Sequence, residues 1–260
     1  MTRPDIEALS AAGAAKADCA RTASPRYLTR AAVAGAFIFV GALLSCLSAS
    51  WFCDAHPAVA KLLGAGTFST ALILIVLLGG ELFTGTNLVM GVTLYEGGCS
   101  LPGALRVWGL AYVGNFLGIL ILCLLFAASG ALQDPLFSYL QALVPAKLSA
   151  AWYMTLLKGV LCNFLVCVGV YAGFRLKSEL GKMVVIALVI TTFVLAGFEH
   201  SIANMAYFTL YSLTVSAASL PAMGWNLLWA TVGNLLGGAV LLGLPLWCSA
   251  EGKPQKLAST

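Results

Sequence analysis

The chain has 260 residues, of which 60% are hydrophobic and 9% charged, with a mean hydropathy of +0.95. Soluble domains carry about 25% charged residues, so an ordinary soluble fold is excluded and a membrane protein is predicted. The formal net charge of +4 is modest, its placement says more than its size, and no nucleic-acid partner is expected.

Residues 4–20 are alanine-rich, with Asp5, Glu7, Lys16 and Asp18 scattered among them. This segment reads either as a short surface helix ahead of the membrane or as a loose tail. Residues 1–30 lack the apolar core of a cleavable signal, so the first membrane helix is expected to direct insertion. Apolar runs follow at about 31–51, 61–95, 107–129, 151–174, 183–216 and 224–248. Four have the length of one simple crossing. The second and fifth are too long for one and too short for two. Thirty-five helical residues would reach about 52 Å, against a hydrocarbon core of about 30 Å.

Each long run is interrupted by a polar stretch, Gly79-Gly80-Glu81-Leu82-Phe83-Thr84-Gly85-Thr86-Asn87 in the second and Gly197-Phe198-Glu199-His200-Ser201-Ile202-Ala203-Asn204 in the fifth. An uncompensated charge at mid-membrane costs about 2.5–3.5 kcal/mol on insertion scales, so such residues face a cavity or a partner. One discontinuous helix per run is the economical solution, giving six crossings with the second and fifth broken.

Eleven of the fourteen basic residues then share one side with both termini, leaving Lys61, Lys147 and Lys158 at or near the other. The positive-inside rule predicts cytoplasmic termini. The expected division is a cytoplasmic N-terminal segment (1–27), a six-helix channel domain (28–248) and a cytoplasmic tail (249–260). An internal echo supports it. Tyr112-Val113-Gly114-Asn115-Phe116-Leu117-Gly118 recurs as Thr231-Val232-Gly233-Asn234-Leu235-Leu236-Gly237, offset by 119 residues, close to the 118 between Glu81 and Glu199. Three spans repeated after an odd number of crossings must be inverted, so the predicted fold is all-α, two inverted three-helix repeats.

Polar breaks in matching halves predict a substrate path at mid-membrane. His200 is its candidate centre, as a hydrogen-bond or proton donor, because imidazole can change charge near neutrality. Glu81 and Glu199 are expected to accept hydrogen bonds from backbone N–H groups freed at the breaks. Gly80, Gly85 and Gly197 supply backbone freedom there, and Thr84 and Asn204 supply short polar side chains. Lys147 is either an anion-attracting vestibule residue or an ordinary flanking lysine. The eight cysteines contain no CxxC pair and read as packing residues. No metal cluster, cofactor motif or catalytic nucleophile is predicted.

Gly80-Glu81-Leu82-Phe83-Thr84, Lys158-Gly159-Val160-Leu161-Cys162-Asn163, Gly197 to Met205 and Asn226 to Asn234 together resemble the formate/nitrite transporter family, from about residue 28 to 250. Within it the nitrite-channel branch is the most similar. The resemblance implies an aquaporin-like fold and a homopentamer with one pore per subunit. It implies a central histidine at His200, a threonine on the loop of the second helix at Thr84, a vestibule lysine at Lys147 and a conduit asparagine at Asn163. It also implies an outer constriction at Phe68, Leu72 and Phe193, and an inner one at Leu82, Phe83 and Val166. The function expected is passage of a small monovalent anion, nitrite or formate, with proton transfer from His200. Hydrosulfide conduction and an aquaporin-like channel for neutral solutes are the alternatives, although the doubled Asn-Pro-Ala signature of the latter is absent. A membrane-embedded enzyme using Glu199 and His200 lacks a nucleophile.

Overall fold

The computed structural model describes residues 2–250, and among these there is helix but no strand. The elements are α1 (Arg3–Thr22), α2 (Ser24–Ser50), α3 (Pro57–Phe68), α4 (Thr70–Leu78), α5 (Phe83–Tyr95), α6 (Leu101–Ala128) and α7 (Leu136–Leu148). After them come α8 (Trp152–Arg175), α9 (Glu179–Leu195), α10 (Ser201–Thr214), α11 (Leu220–Leu235), a π-helical segment (Leu236–Gly243) and α12 (Leu244–Cys248). Proline in the first turn opens α2, α3, α6 and α11, where its missing N–H costs nothing. Ser100 and Ser178 cap α6 and α9 by accepting from Gly103 and Gly181 N–H.

Five stretches are long and apolar enough to cross a bilayer: Ser24–Ser50, Pro57–Leu78, Leu101–Ala128, Trp152–Arg175 and Leu220–Cys248. Their outer faces carry exposed Leu, Val, Ile and Phe, as lipid contact requires. The twelve-residue terminal tail from 249 lies outside the described residues beyond Ala250, with Lys253 and Lys256.

Both polar stretches interrupt helix. Between Leu78 and Phe83 the chain passes through Gly79 at φ 85°, and between Leu195 and Ser201 through Gly197 at φ 69°. These left-handed angles are open to glycine and strained for any residue with a Cβ. The freed backbone groups are not braced by the glutamates. Asn115 Oδ1 accepts from Phe83 N–H at 2.9 Å, while its Nδ2 donates to Ala31 O at 2.8 Å and Glu81 O at 2.9 Å. Asn234 Oδ1 accepts from Ser201 N–H at 2.8 Å, and its Nδ2 donates to Gly159 O at 2.9 Å and Glu199 O at 2.8 Å. An amide side chain both donates and accepts, so one residue satisfies an N–H and two carbonyls; a carboxylate only accepts. The expected brace role of Glu81 and Glu199 is therefore corrected to these two asparagines.

The glycines around them set the helix spacing. A Cβ on Gly118 would lie 1.9 Å from Ala32 O, and one on Gly237 would lie 2.2 Å from Val160 O. Backbone contact this close needs small residues and holds α6 on α2 and the π-helical segment on α8. Two side chains enter the hydrogen-bond ladder at the π-helical segment: Asn163 Nδ2 donates to Asn234 O at 2.5 Å, and the Tyr95 hydroxyl donates to Ala239 O at 3.0 Å.

The N-terminal segment is a helix, the first of the two readings, and α1 packs one face on the bundle. Ile6 and Leu9 are fully buried against Leu88, Val92 and Leu242. Its charged side chains reach the bundle, with Arg3 on Glu96, Asp5 on Arg175 at 3.3 Å and Lys16 on Glu81. All eight cysteines are unpaired, and Cys46, Cys123, Cys162 and Cys167 are buried.

Candidate substrate pathway

Two cavities approach the breaks from opposite ends. The first, about 320 Å³, includes Phe68, Lys147, Phe193, Glu199, His200 and Asn204 in its walls. The second, about 330 Å³, includes Lys16, Leu72, Gly80, Glu81, Leu82 and Gly85. Each holds one lysine bound to the glutamate of its break: Lys147 Nζ to Glu199 Oε2 at 3.0 Å, and Lys16 Nζ to Glu81 Oε2. Second partners complete the carboxylates. Asn204 Nδ2 donates to Glu199 and, at 2.9 Å, to Asn226 Oδ1; the Tyr27 hydroxyl donates to Glu81 at 3.2 Å. A buried carboxylate that is paired and hydrogen-bonded can stay charged where a bare one could not.

Between the cavities His200 Nε2 meets Thr84 Oγ1 at 2.9 Å, both side chains buried. His200 is also the N-cap of α10, its Nδ1 accepting from Ala203 N–H at 3.0 Å. A nitrogen that accepts cannot carry a proton, so the imidazole is the neutral tautomer with hydrogen on Nε2. Nε2–H then donates to the Thr84 oxygen, leaving the threonine hydroxyl hydrogen available to a ligand. The charged form would forfeit the cap, and release of Nε2–H from the neutral ring would leave an imidazolate. Of the two roles expected for His200, this geometry favours the hydrogen-bond donor.

The aromatic ring on the Lys147 side is compact. Phe193 stacks on His200 with centroids 5.9 Å apart and planes at 17°, and Phe68 stands edge-on to Phe193 at 5.9 Å. Leu72, expected beside them, lines the opposite cavity instead. Leu82 lines that cavity too, but Phe83 turns away and packs edge-on against Tyr112 at 5.2 Å. Val166 is buried and is part of neither wall. Asn163, expected in the conduit, also lies outside both walls and donates to Thr84 O at 3.2 Å, holding the threonine backbone.

Sequence reasoning missed the pairing of Lys16 with Glu81, since Lys16 was read only as a charge of the N-terminal segment on the basic side. It also missed Tyr27 and Asn226 as carboxylate and amide partners. The repeated Val-Gly-Asn motif did flag Asn115 and Asn234, as a repeat and not as braces.

A family profile described as formate/nitrite transporter matches residues 5–248. The chain belongs to the formate/nitrite transporter family. It is 32% identical to the nitrite transporter NirC of Escherichia coli over 219 residues, covering 83% of this chain and 80% of that one. A solved FNT family ion channel superposes with a TM-score of 0.87 at 29% identity, covering 95% and 98% of the two chains. A pentameric formate channel with formate bound gives 0.76 at 28% identity, covering 88% and 98%. Formate/nitrite transporters are membrane transport proteins and not enzymes, so the chain is an integral membrane transporter.

Proposed function

We propose that the chain conducts small monovalent anions, nitrite first and formate second, through a pore within each subunit of a homopentamer. In this reading it crosses the cytoplasmic membrane six times as two inverted, aquaporin-like repeats, with both termini in the cytoplasm. The segments 1–27, 28–248 and 249–260 are then the cytoplasmic N-terminal segment, the channel domain and the cytoplasmic tail. The positive-inside distribution supports the orientation, placing Lys147 outside and Lys16 inside. The bound formate and the pentamer of the similar channel support the substrate class and the assembly.

The observation that carries the reading is the Thr84–His200 hydrogen bond set between two cavities whose carboxylates are each matched by a lysine. With Lys147 on Glu199 and Lys16 on Glu81, neither carboxylate repels an approaching anion. The anion displaces the Thr84–His200 contact and takes hydrogen bonds from both side chains. Phe68, Phe193 and Leu82 exclude hydrated ions, because stripping water from a charge inside an apolar ring is costly. A hydronium proton reaching the anion through the cavity water neutralises it for that crossing and is given back to water on the far side, while His200 stays neutral and holds the substrate.

Hydrosulfide meets the same requirements of size, charge and acidity and is the second reading; an aquaporin-like channel for neutral solutes is the third. Flux into proteoliposomes with nitrite, formate, hydrosulfide and glycerol tests all of them. Nitrite or formate flux well above empty vesicles is expected, and glycerol flux alone would overturn the reading.

A further inference from the structure

The two cavities differ in unpaired charge. Three lysines, Lys61, Lys147 and Lys158, line the cavity that ends at His200, against the single carboxylate of Glu199. Lys147 is the one that Glu199 takes. Among the described residues no carboxylate pairs with Lys61 or Lys158, and Asp54 and Asp134 line neither cavity.

Lys158 is the more telling of the two. It is half-buried on α8, six residues after the helix starts, about 9 Å along it. Its carbonyl accepts from Glu199 N–H at 3.4 Å, which fixes its backbone beside the break. An ammonium inside a spanning helix normally finds an acidic partner or lines a watery path. Lys158 lines the path and lacks the acid. Lys61, exposed on α3, adds a second unpaired charge on the same wall.

The opposite cavity has one lysine, Lys16, already matched by Glu81. Other cations at that end are held or solvated. Arg3 is on Glu96, Arg175 on Asp5 and Arg21 on Asp18. Arg26, Arg30 and Arg106 are exposed and line neither cavity. Charge spread over an open surface is screened within about 8–10 Å in salt, whereas cavity walls focus the field of the charges that line them, an effect that weakens as salt rises.

We propose that Lys158 and Lys61 form an anion-docking site in the Lys147-side cavity, which makes uptake from that side more efficient than uptake from the Lys16 side. The proposal rests on the anion-channel reading and adds a direction to it. Lys147, bound to Glu199, shields the carboxylate; the collecting charge is that of Lys158 and Lys61. A small anion docks there before moving to Thr84 and His200.

The test is nitrite current in planar bilayers with the protein in one orientation, titrating nitrite on each side in turn. At low ionic strength the half-saturating nitrite concentration should be lower on the Lys158 side by about threefold or more, the gap closing in high salt. K61Q/K158Q should abolish the difference between sides, K158R should keep it, and K61Q alone, at an exposed position, should reduce it. Wild-type current with equal half-saturation on both sides, or an undiminished difference in K61Q or K61Q/K158Q, would overturn the proposal alone. Absence of any anion current in the wild type would overturn the channel reading and this proposal with it.

Discussion

The Nε2 of His200 lies 2.9 Å from Thr84 Oγ1 while its Nδ1 is held at 3.0 Å by the N–H of Ala203. The two ring nitrogens thus have fixed and different duties, one anchoring a helix and the other facing the pathway. Thr84→Val keeps the shape and removes the hydroxyl. Nitrite flux in proteoliposomes should fall about tenfold, the factor expected for one lost hydrogen bond in a buried site. Protein yield and assembly should be unaffected.

Asn115 and Asn234 are predicted to matter for stability although neither lines a cavity. Asn115→Asp and Asn234→Asp each remove two donated bonds and leave the carbonyl at the break, Glu81 O or Glu199 O, without its buried partner, while Ala31 and Gly159 keep their helical bonds. Each substitution should cost roughly 2–4 kcal/mol. Thermal unfolding in detergent checks this, with a clear drop in midpoint expected for both variants and of similar size.

Removing Lys147 alone strands the Glu199 carboxylate in a buried site. Lys147→Met should destabilise by about 3–5 kcal/mol, the usual result of breaking a buried pair on one side. Adding Glu199→Gln should recover most of that loss, since no buried charge then remains. The double-mutant cycle on unfolding midpoints gives the coupling directly.

The docking of α1 carries a pH signature. The Thr2 hydroxyl, foremost, with Arg175 and Tyr171 adding, holds the Asp5 carboxyl below its ordinary range, against a smaller opposing effect of burial. A depressed carboxylate contributes stability above its unfolded pKa of about 3.9 and loses it as pH falls through the lower folded value. Hydrogen-exchange protection of α1 should be flat from neutral pH to about pH 5 and fall only below about pH 4. Asp5→Asn should lower protection across the upper range.

Both breaks were legible in the sequence because Glu81 and Glu199 interrupt apolar runs too long for a single crossing, with Gly79 and Gly197 beside them. Asn115 and Asn234 stood out through their shared Val-Gly-Asn setting. Their bonding did not, because a linear motif carries no information about which backbone groups a distant break leaves open. The same limit hid the Lys16–Glu81 pair, whose members are 65 residues apart and come together only when α1 docks. Phe83 and Leu72 were nominated for the constrictions by resemblance alone, with no signal of their own in the sequence; Phe83, the first residue of α5, packs on Tyr112, and Leu72 lines the Lys16-side cavity.

Nitrite uptake as a function of pH, in wild type and His200→Asn, tests the neutral-histidine centre most directly. Asparagine can still cap α10 but is too short to reach Thr84. The account predicts uptake reduced about tenfold or more at every pH, with the shape of the pH profile unchanged, because the proton comes from water and not from the ring. Uptake equal to wild type, or a profile whose midpoint moves with the substitution, would contradict it.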